Sequence, residues 1–162
     1  MALTLQQHNI APVFDEHSRI LILGSFPSVK SRESAFFYGH PQNRFWRILA
    51  AIFEEELPVT IDQKKALLLK HQIAVWDVIA SCEIEGSSDS SIRNVVPNDL
   101  AYIIGKSRIT KIYANGAKSK QLYDKYLAKQ LGIEAVQLPS TSPANAAYSV
   151  ERLLEYWKNI VA

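Results

Sequence analysis

The chain has 162 residues, a formal net charge of +2 and 21% charged residues, an ordinary globular balance that suits one domain over residues 1–162. No run of about 18 apolar residues is present, so no membrane-spanning helix is expected, and the opening "MALTLQQHNIAPVF" lacks the basic start and apolar core of a secretory signal. Cys82 is the only cysteine, which excludes an internal disulfide and any multi-cysteine metal or iron–sulfur site; a cytoplasmic monomer is the expectation.

"RILILG", Arg19 to Gly24, is a short apolar run closed by glycine and reads as a buried strand. The stretch from Ser25 to Gln42 reads as a loop rich in rings and turn residues. From Asn43 the apolar positions Phe45, Ile48, Leu49, Ile52 and Phe53 take helical spacing. "IDQKKALLLKH" is a second helix with Thr60 as N-cap. "IAVWDVI" reads as a second strand, and the Ser-rich, polar "ASCEIEGSSDSSIRNVV" as a loop. Pro97 opens a short helix, "ITKIYA" is a third strand, and a helix capped by Asn115 follows. "EAVQL" is a fourth strand and "PSTSPANA" a loop. The last helix carries Val150, Leu153, Leu154, Trp157 and Val161 on one side.

Strands alternating with helices give a parallel sheet covered on both faces. Ligands of such sheets bind beyond the carboxyl ends of the strands. Three loops therefore converge on one crevice: Ser25 to Gln42, Asp77 to Val96, and Pro139 to Ala144. The four histidines show no paired spacing for a metal, and no cofactor is expected.

Within these loops each candidate has two readings. Gly24 and Pro27 bracket a tight turn, which either ends the strand or lets main-chain N–H groups approach a ligand. Asn43 is either the N-cap of its helix or an uncharged amide whose oxygen orients water while its NH₂ donates to a ligand. Ser25 is a turn serine or a donor, and His40 a structural residue or a donor. Asp77 caps a loop or accepts a hydrogen bond. Lys30 and Arg32 are solvated or meet phosphates. Ser140, Thr141 and Ser142 offer short hydroxyls and main-chain N–H groups suited to phosphate. Asn145 is the cap of the last helix or, with Pro143, part of a groove-entering wedge. A serine hydrolase built on Ser25 and His40 lacks the G-x-S-x-G turn.

"GSFP", "FYGHPQNRFW" and the late "LPSTSPAN" together resemble the uracil-DNA glycosylase superfamily over about Ile20 to Trp157. With "WDVIASCEIEGSSDSSI" added, the chain is most similar to the hypoxanthine-DNA (deoxyinosine) glycosylase branch. The resemblance implies a three-layer α/β/α sandwich around a four-stranded parallel sheet. It implies hydrolysis of the bond between deoxyribose and a flipped, deaminated base in DNA, most simply hypoxanthine. A uracil or mismatch glycosylase, or a non-catalytic nucleic-acid-binding protein, are the alternatives. It places Asn43 as the water-orienting residue and Tyr38 as the stacking ring. Gly24, Ser25, Phe26, Pro27, His40 and Asp77 fall around the base, and Lys30, Arg32, Ser140, Thr141, Ser142, Pro143 and Asn145 toward DNA. Phe26 departs from the pattern, since several branches carry Asp or Asn there to position water. Leu138 departs at the start of the second motif. "GSSDSSI", with Asp89, is a feature of that branch without an assigned role. Phe45 and Trp46 are expected in the core.

Overall fold

A computed structural model describes residues 3–161. In chain order the elements are β1 (Thr4–Gln7), β2 (Ile20–Gly24), α1 (Val29–Ser34), α2 (Phe45–Ile52), α3 (Ile61–Lys70), β3 (Ile73–Asp77) and β4 (Ile79–Ile84). A 3₁₀ turn at Asp89–Ser91 precedes β5 (Arg93–Pro97), α4 (Leu100–Gly105), β6 (Lys111–Asn115), α5 (Ala117–Tyr126), α6 (Ala128–Leu131), β7 (Ala135–Leu138) and α7 (Val150–Trp157). A final 3₁₀ turn covers Lys158–Val161.

The central sheet has the order β3-β2-β6-β7, and its three pairings are all parallel. The two-residue period of β2 divides the core. Ile22 joins Phe45, Ile48, Leu49, Leu68, Leu153 and Trp157 on the face covered by α2, α3 and α7. Leu21 and Leu23 join Leu100, Ile103, Leu122 and Tyr123 on the face covered by α4 and α5. This is the three-layer α/β/α arrangement, and Phe45 and Trp46 lie in its core as expected.

Several boundaries differ from expectation. The stretch Ser25 to Gln42 contains α1, whose first turn is capped by Ser28 Oγ accepting from Ser31 N at 3.1 Å. The segment read as a loop after β3 forms β4 and β5, which with β1 make a second, antiparallel sheet in the order β1-β4-β5. Pro97 ends β5, and α4 starts at Leu100. Asn115 ends β6 and does not cap α5; Gly116, at φ 97°, takes the cap position, where a β-carbon would lie 3.1 Å from that of Ser140. Ser149, not Asn145, caps α7, accepting from Arg152 N at 3.1 Å. In the last turn Ile160 is buried and Val161 exposed, because tightening to 3₁₀ geometry shifts the inward face by one position. Thr60 caps α3 as read, and with Gln63 it forms a capping box.

Candidate active site

The carboxyl ends of β2, β3 and β6 surround a cavity of about 150 Å³, lined among others by Gly24, Ser25, Phe26, Tyr38, Asn43, Asp77, Asp89, Asn115 and Thr141. An apolar cavity of about that size holds one benzene molecule. This one is half polar and suits a single flat base, not a whole nucleotide.

Its floor follows from the glycine that closes β2. A β-carbon on Gly24 would lie 2.3 Å from Asp77 Oδ1 and 3.3 Å from the Tyr38 hydroxyl, so only glycine lets the carboxylate rise beside the turn. Asp77 is buried, and its Oδ2 lies 2.8 Å from His8 Nε2. The other nitrogen, His8 Nδ1, accepts from Ile10 N at 3.3 Å. That backbone donor makes Nδ1 the unprotonated nitrogen, so Nε2 carries the hydrogen and donates to Asp77. The Asp77 carboxylate is thus held as an acceptor. Asn98 braces the same turn by donating to the carbonyls of Asp77 at 2.9 Å and Ile79 at 3.1 Å.

One wall is aromatic. Tyr38 stacks on Phe45, with ring centroids 4.1 Å apart and planes 26° from parallel. Its backbone sits at φ 52°, in a left-handed conformation that a bulky side chain adopts only when its surroundings impose it. Its hydroxyl is buried without a hydrogen bond of ordinary geometry. Burial, and then the neighbouring Asp77 charge, push the phenol far above its ordinary pKa; the nearby Asn115 side chain works in the opposite direction. Such a hydroxyl is a neutral donor with room for a partner. Phe26 is also buried, its ring edge-on to that of His8.

A polar wall joins three distant segments. Asn43 Oδ1 accepts from Phe45 N at 2.9 Å and from Thr141 Oγ1 at 2.8 Å. Thr141 Oγ1 accepts from Asn115 Nδ2 at 3.0 Å, and Thr141 N donates to Asn115 Oδ1 at 3.0 Å. Because Phe45 N–H can only donate, the Asn43 atom facing it is the carbonyl oxygen. Both its lone pairs are occupied. The sequence reading gave this oxygen the task of accepting from water; the structure leaves only the NH₂ group, which can hold a water by donating to it. Asn43 is not the N-cap of α2 either: that position is Arg44, and from one residue before it the Asn43 oxygen accepts from the first helical N–H, Phe45 N.

Of the other expected residues, Pro27, Ser140 and Ser142 line the cavity. His40, Lys30, Arg32, Pro143 and Asn145 stand outside it. His40 Nδ1 accepts from Gln42 N at 3.0 Å, bracing its own loop. Lys30 faces Glu33 at 3.6 Å. Arg32 donates to Gly86 O at 2.7 Å and lies over the Phe26 ring, 5.4 Å from its centroid, so it pins the loop after β4. Asn145 Nδ2 donates to Ser140 O at 3.0 Å.

His8, Asn115 and Arg44 escape the sequence reading. Arg44 donates to the carbonyls of Ser142 at 2.7 Å, Asn145 at 3.0 Å and Thr141 at 3.4 Å, and also to Tyr148 O, clamping the whole late loop. Its adjacency to Asn43 was the available signal. Asp89 also lines the cavity and accepts from Ser25 Oγ at 3.3 Å. Although the residue is exposed overall, crowding around its carboxyl raises its pKa, against the Ser25 hydrogen bond and the Lys118 charge.

Comparison with known proteins bears on this arrangement of a base-sized cavity at the end of a parallel sheet. The chain is 39% identical over 148 residues to a protein of Methanosarcina acetivorans named hypoxanthine DNA glycosylase, spanning 89% of this chain and 91% of that one. A protein of Methanosarcina barkeri with the same name is 32% identical over 142 residues, 87% of this chain and 89% of the other. A solution NMR structure described as a candidate uracil DNA glycosylase, also from Methanosarcina acetivorans, superposes with a TM-score of 0.79 at 35% identity, covering 97% and 96% of the two chains. The family model of the uracil DNA glycosylase superfamily matches residues 11–161, which include all three walls of the cavity; the chain belongs to that superfamily.

Proposed function

We propose that this protein is a monofunctional DNA glycosylase of base excision repair that removes a deaminated base, with hypoxanthine as its preferred substrate. The observation that carries the reading is the Asp77 acceptor, fixed by His8, on the floor of a cavity sized for one base. Deamination turns the ring nitrogen N1 of adenine from an acceptor into an N–H donor. A carboxylate there attracts hypoxanthine and repels adenine, whose N1 lone pair would face it. The relatives named hypoxanthine DNA glycosylase support the same choice.

A base inside a duplex must be rotated out of the stack at a cost of a few kcal/mol. The free face of Tyr38, backed by Phe45, would return about 1–3 kcal/mol by stacking. Phe26 and Pro27 complete the slot, and the main chain from Gly24 to Phe26 with the Ser25 hydroxyl supplies donors for charge developing on the departing base. The C1′–N bond opens toward an oxocarbenium-like sugar. Asn43 holds the attacking water through its NH₂ group. Ser140 and Ser142 line the side where a phosphate would lie, Lys30 and Arg32 add positive charge on α1, and Pro143 and Asn145 are placed to enter a groove. The same reading has the protein act as a monomer in the cytoplasm, in keeping with its one buried cysteine.

The test is excision from otherwise identical duplexes carrying deoxyinosine or deoxyuridine, read by alkaline cleavage at the abasic site. Faster cleavage at deoxyinosine is expected. Cleavage mainly at deoxyuridine would move the protein to the uracil or mismatch activity, and binding without cleavage of either would make it a nucleic-acid-binding protein.

A further inference from the structure

Hydrolysis makes a demand that Asn43 does not meet. As the water oxygen bonds to the sugar carbon, the water becomes acidic and needs a proton acceptor. The polar groups already described are committed. Asn43 Oδ1 carries two hydrogen bonds, and Thr141 Oγ1 gives its one proton to Asn43 and accepts from Asn115. Asp77 accepts from His8 on Oδ2, and its Oδ1, beside the Gly24 turn, is the acceptor that the glycosylase reading gives to the base. Phe26 has no polar side-chain atom.

Asp89 is different. It lines the same cavity from the loop after β4. Among the described residues its carboxylate accepts one side-chain hydrogen bond, the long contact of 3.3 Å from Ser25 Oγ to Oδ1, which leaves Oδ2 available. Its loop is held from several sides. Val29 N donates to Ser87 Oγ at 2.8 Å, Arg32 to Gly86 O at 2.7 Å, and Ser91 Oγ both accepts from Glu85 N at 2.8 Å and donates to Ser88 O at 2.7 Å. A carboxylate on so braced a loop is positioned, not incidental.

We propose that Asp89 is a catalytic residue of this site, the base that accepts the proton of the water held by Asn43. The proposal rests on the glycosylase reading of the cavity. In the step, the C1′–N bond breaks and its electron pair leaves with the base. A lone pair of the water oxygen forms the new bond to C1′, one water proton passes to Asp89 Oδ2 and on to solvent, and the departing base takes a proton from solvent. The products are the free base and an abasic sugar, with no change of oxidation state. The charge acting on Asp89 is that of Lys118 on α5, with the Ser25 hydroxyl in contact; Arg32 on α1 holds the same loop through Gly86 O, and Asp77 on β3 lines the same cavity. Crowding that makes the carboxyl a weaker acid also makes its ionised form a stronger base.

The experiment is single-turnover excision of deoxyinosine between pH 4 and 9 (a range set by carboxylate and histidine titration), with affinity for a duplex carrying an abasic analogue measured alongside. Wild type should show a rate that rises with pH and levels off, the limb lying above the ordinary carboxylate range. Asp89→Asn should lower the plateau by about 10²-fold, within the usual contribution of a general base, and abolish that limb. Its DNA affinity should stay equal or rise slightly, since a negative charge has gone. A rate within threefold of wild type with the limb intact would overturn the assignment. If Asp89→Asn does not fold, Ser25→Ala serves: losing the hydroxyl that favours the ionised carboxyl should move the limb to higher pH, and an unmoved limb overturns the proposal. Failure of the glycosylase reading itself looks different, because wild type would then excise neither deoxyinosine nor deoxyuridine at any pH.

Discussion

Asn43 divides its amide between two tasks. The oxygen accepts from Phe45 N at the start of α2 and ties α2 to Thr141, while the NH₂ group remains for water. The two halves can be separated by substitution. Asn43→Asp keeps an acceptor for both donors and removes the NH₂ group; Asn43→Ala removes both. Excision should fall by about 10²-fold or more in each, the scale of losing one oriented donor. Stability should fall by about 1 kcal/mol only in Asn43→Ala, the usual net worth of a lost hydrogen bond. Single-turnover rates and urea unfolding of the same preparations check both. Near-normal excision by Asn43→Asp would show that an acceptor, not a donor, is what the water needs. Residue type offered Asn43 as a helix cap, and the resemblance offered it as a water ligand; the structure gives the cap position to Arg44. Which half of the amide is free depends on Thr141, 98 positions later, and no local pattern carries that information.

Among the elements, the late loop shows how a flexible connection becomes part of a wall. Residues 139–149 contain no regular element, yet Arg44 gathers four of their carbonyls and Trp157 Nε1 fixes Pro139 O at 2.9 Å. A planar guanidinium can serve several acceptors in fixed directions, and an ammonium cannot. Arg44→Lys should therefore loosen this loop before it unfolds the protein. Amide hydrogen exchange within residues 140–148 should accelerate at least tenfold, with central strands β2 and β6 unchanged, and overall stability should drop by about 2 kcal/mol, the worth of one or two hydrogen bonds to a charged group. Equal acceleration throughout the fold would mean that Arg44 supports the core and not the loop. The strands β2, β3, β6 and β7 were legible because apolar runs bounded by polar turns are strong signals. The pair β4 and β5 was not. Its register shifts between Ile79, Ser81 and Glu83, so the inward residues fall at Ile79, Cys82 and Ile84 and the two-residue alternation is lost. The same misreading left Asp89 on a loop without a frame, when in fact a second sheet carries it to the cavity.

At the scale of the whole molecule, the two core faces bury phenols as well as hydrocarbons, and this sets an alkaline limit on the fold. Tyr123 is fully buried on the α5 face and donates to Ile133 O; burial first, and then the Asp124 charge, push its pKa from 10.0 up to about 12. Tyr38 and Tyr113 are raised in the same direction, chiefly by burial. A phenol that stays protonated in the fold but ionises at its ordinary pKa in the unfolded chain favours unfolding once the pH passes that value. Its contribution is intact below pH 10, and from there to the folded pKa it declines by about 1.4 kcal/mol per pH unit. Lys64 works the other way, because burial lowers its pKa and rising pH relieves that cost. Three phenols and the buried Cys82 thiol, which burial also raises from 9.0, against one partly buried amine leave the balance on the side of loss. The urea midpoint should decline gently between pH 9 and 10, where the thiol acts alone, and fall steeply between pH 10 and 11, where the phenols join it. Tyr123→Phe, though less stable at pH 8 for want of its hydrogen bond, should lose less on the same rise. Parallel decline in the two proteins would place the alkaline limit elsewhere than in the buried tyrosine of the α5 face.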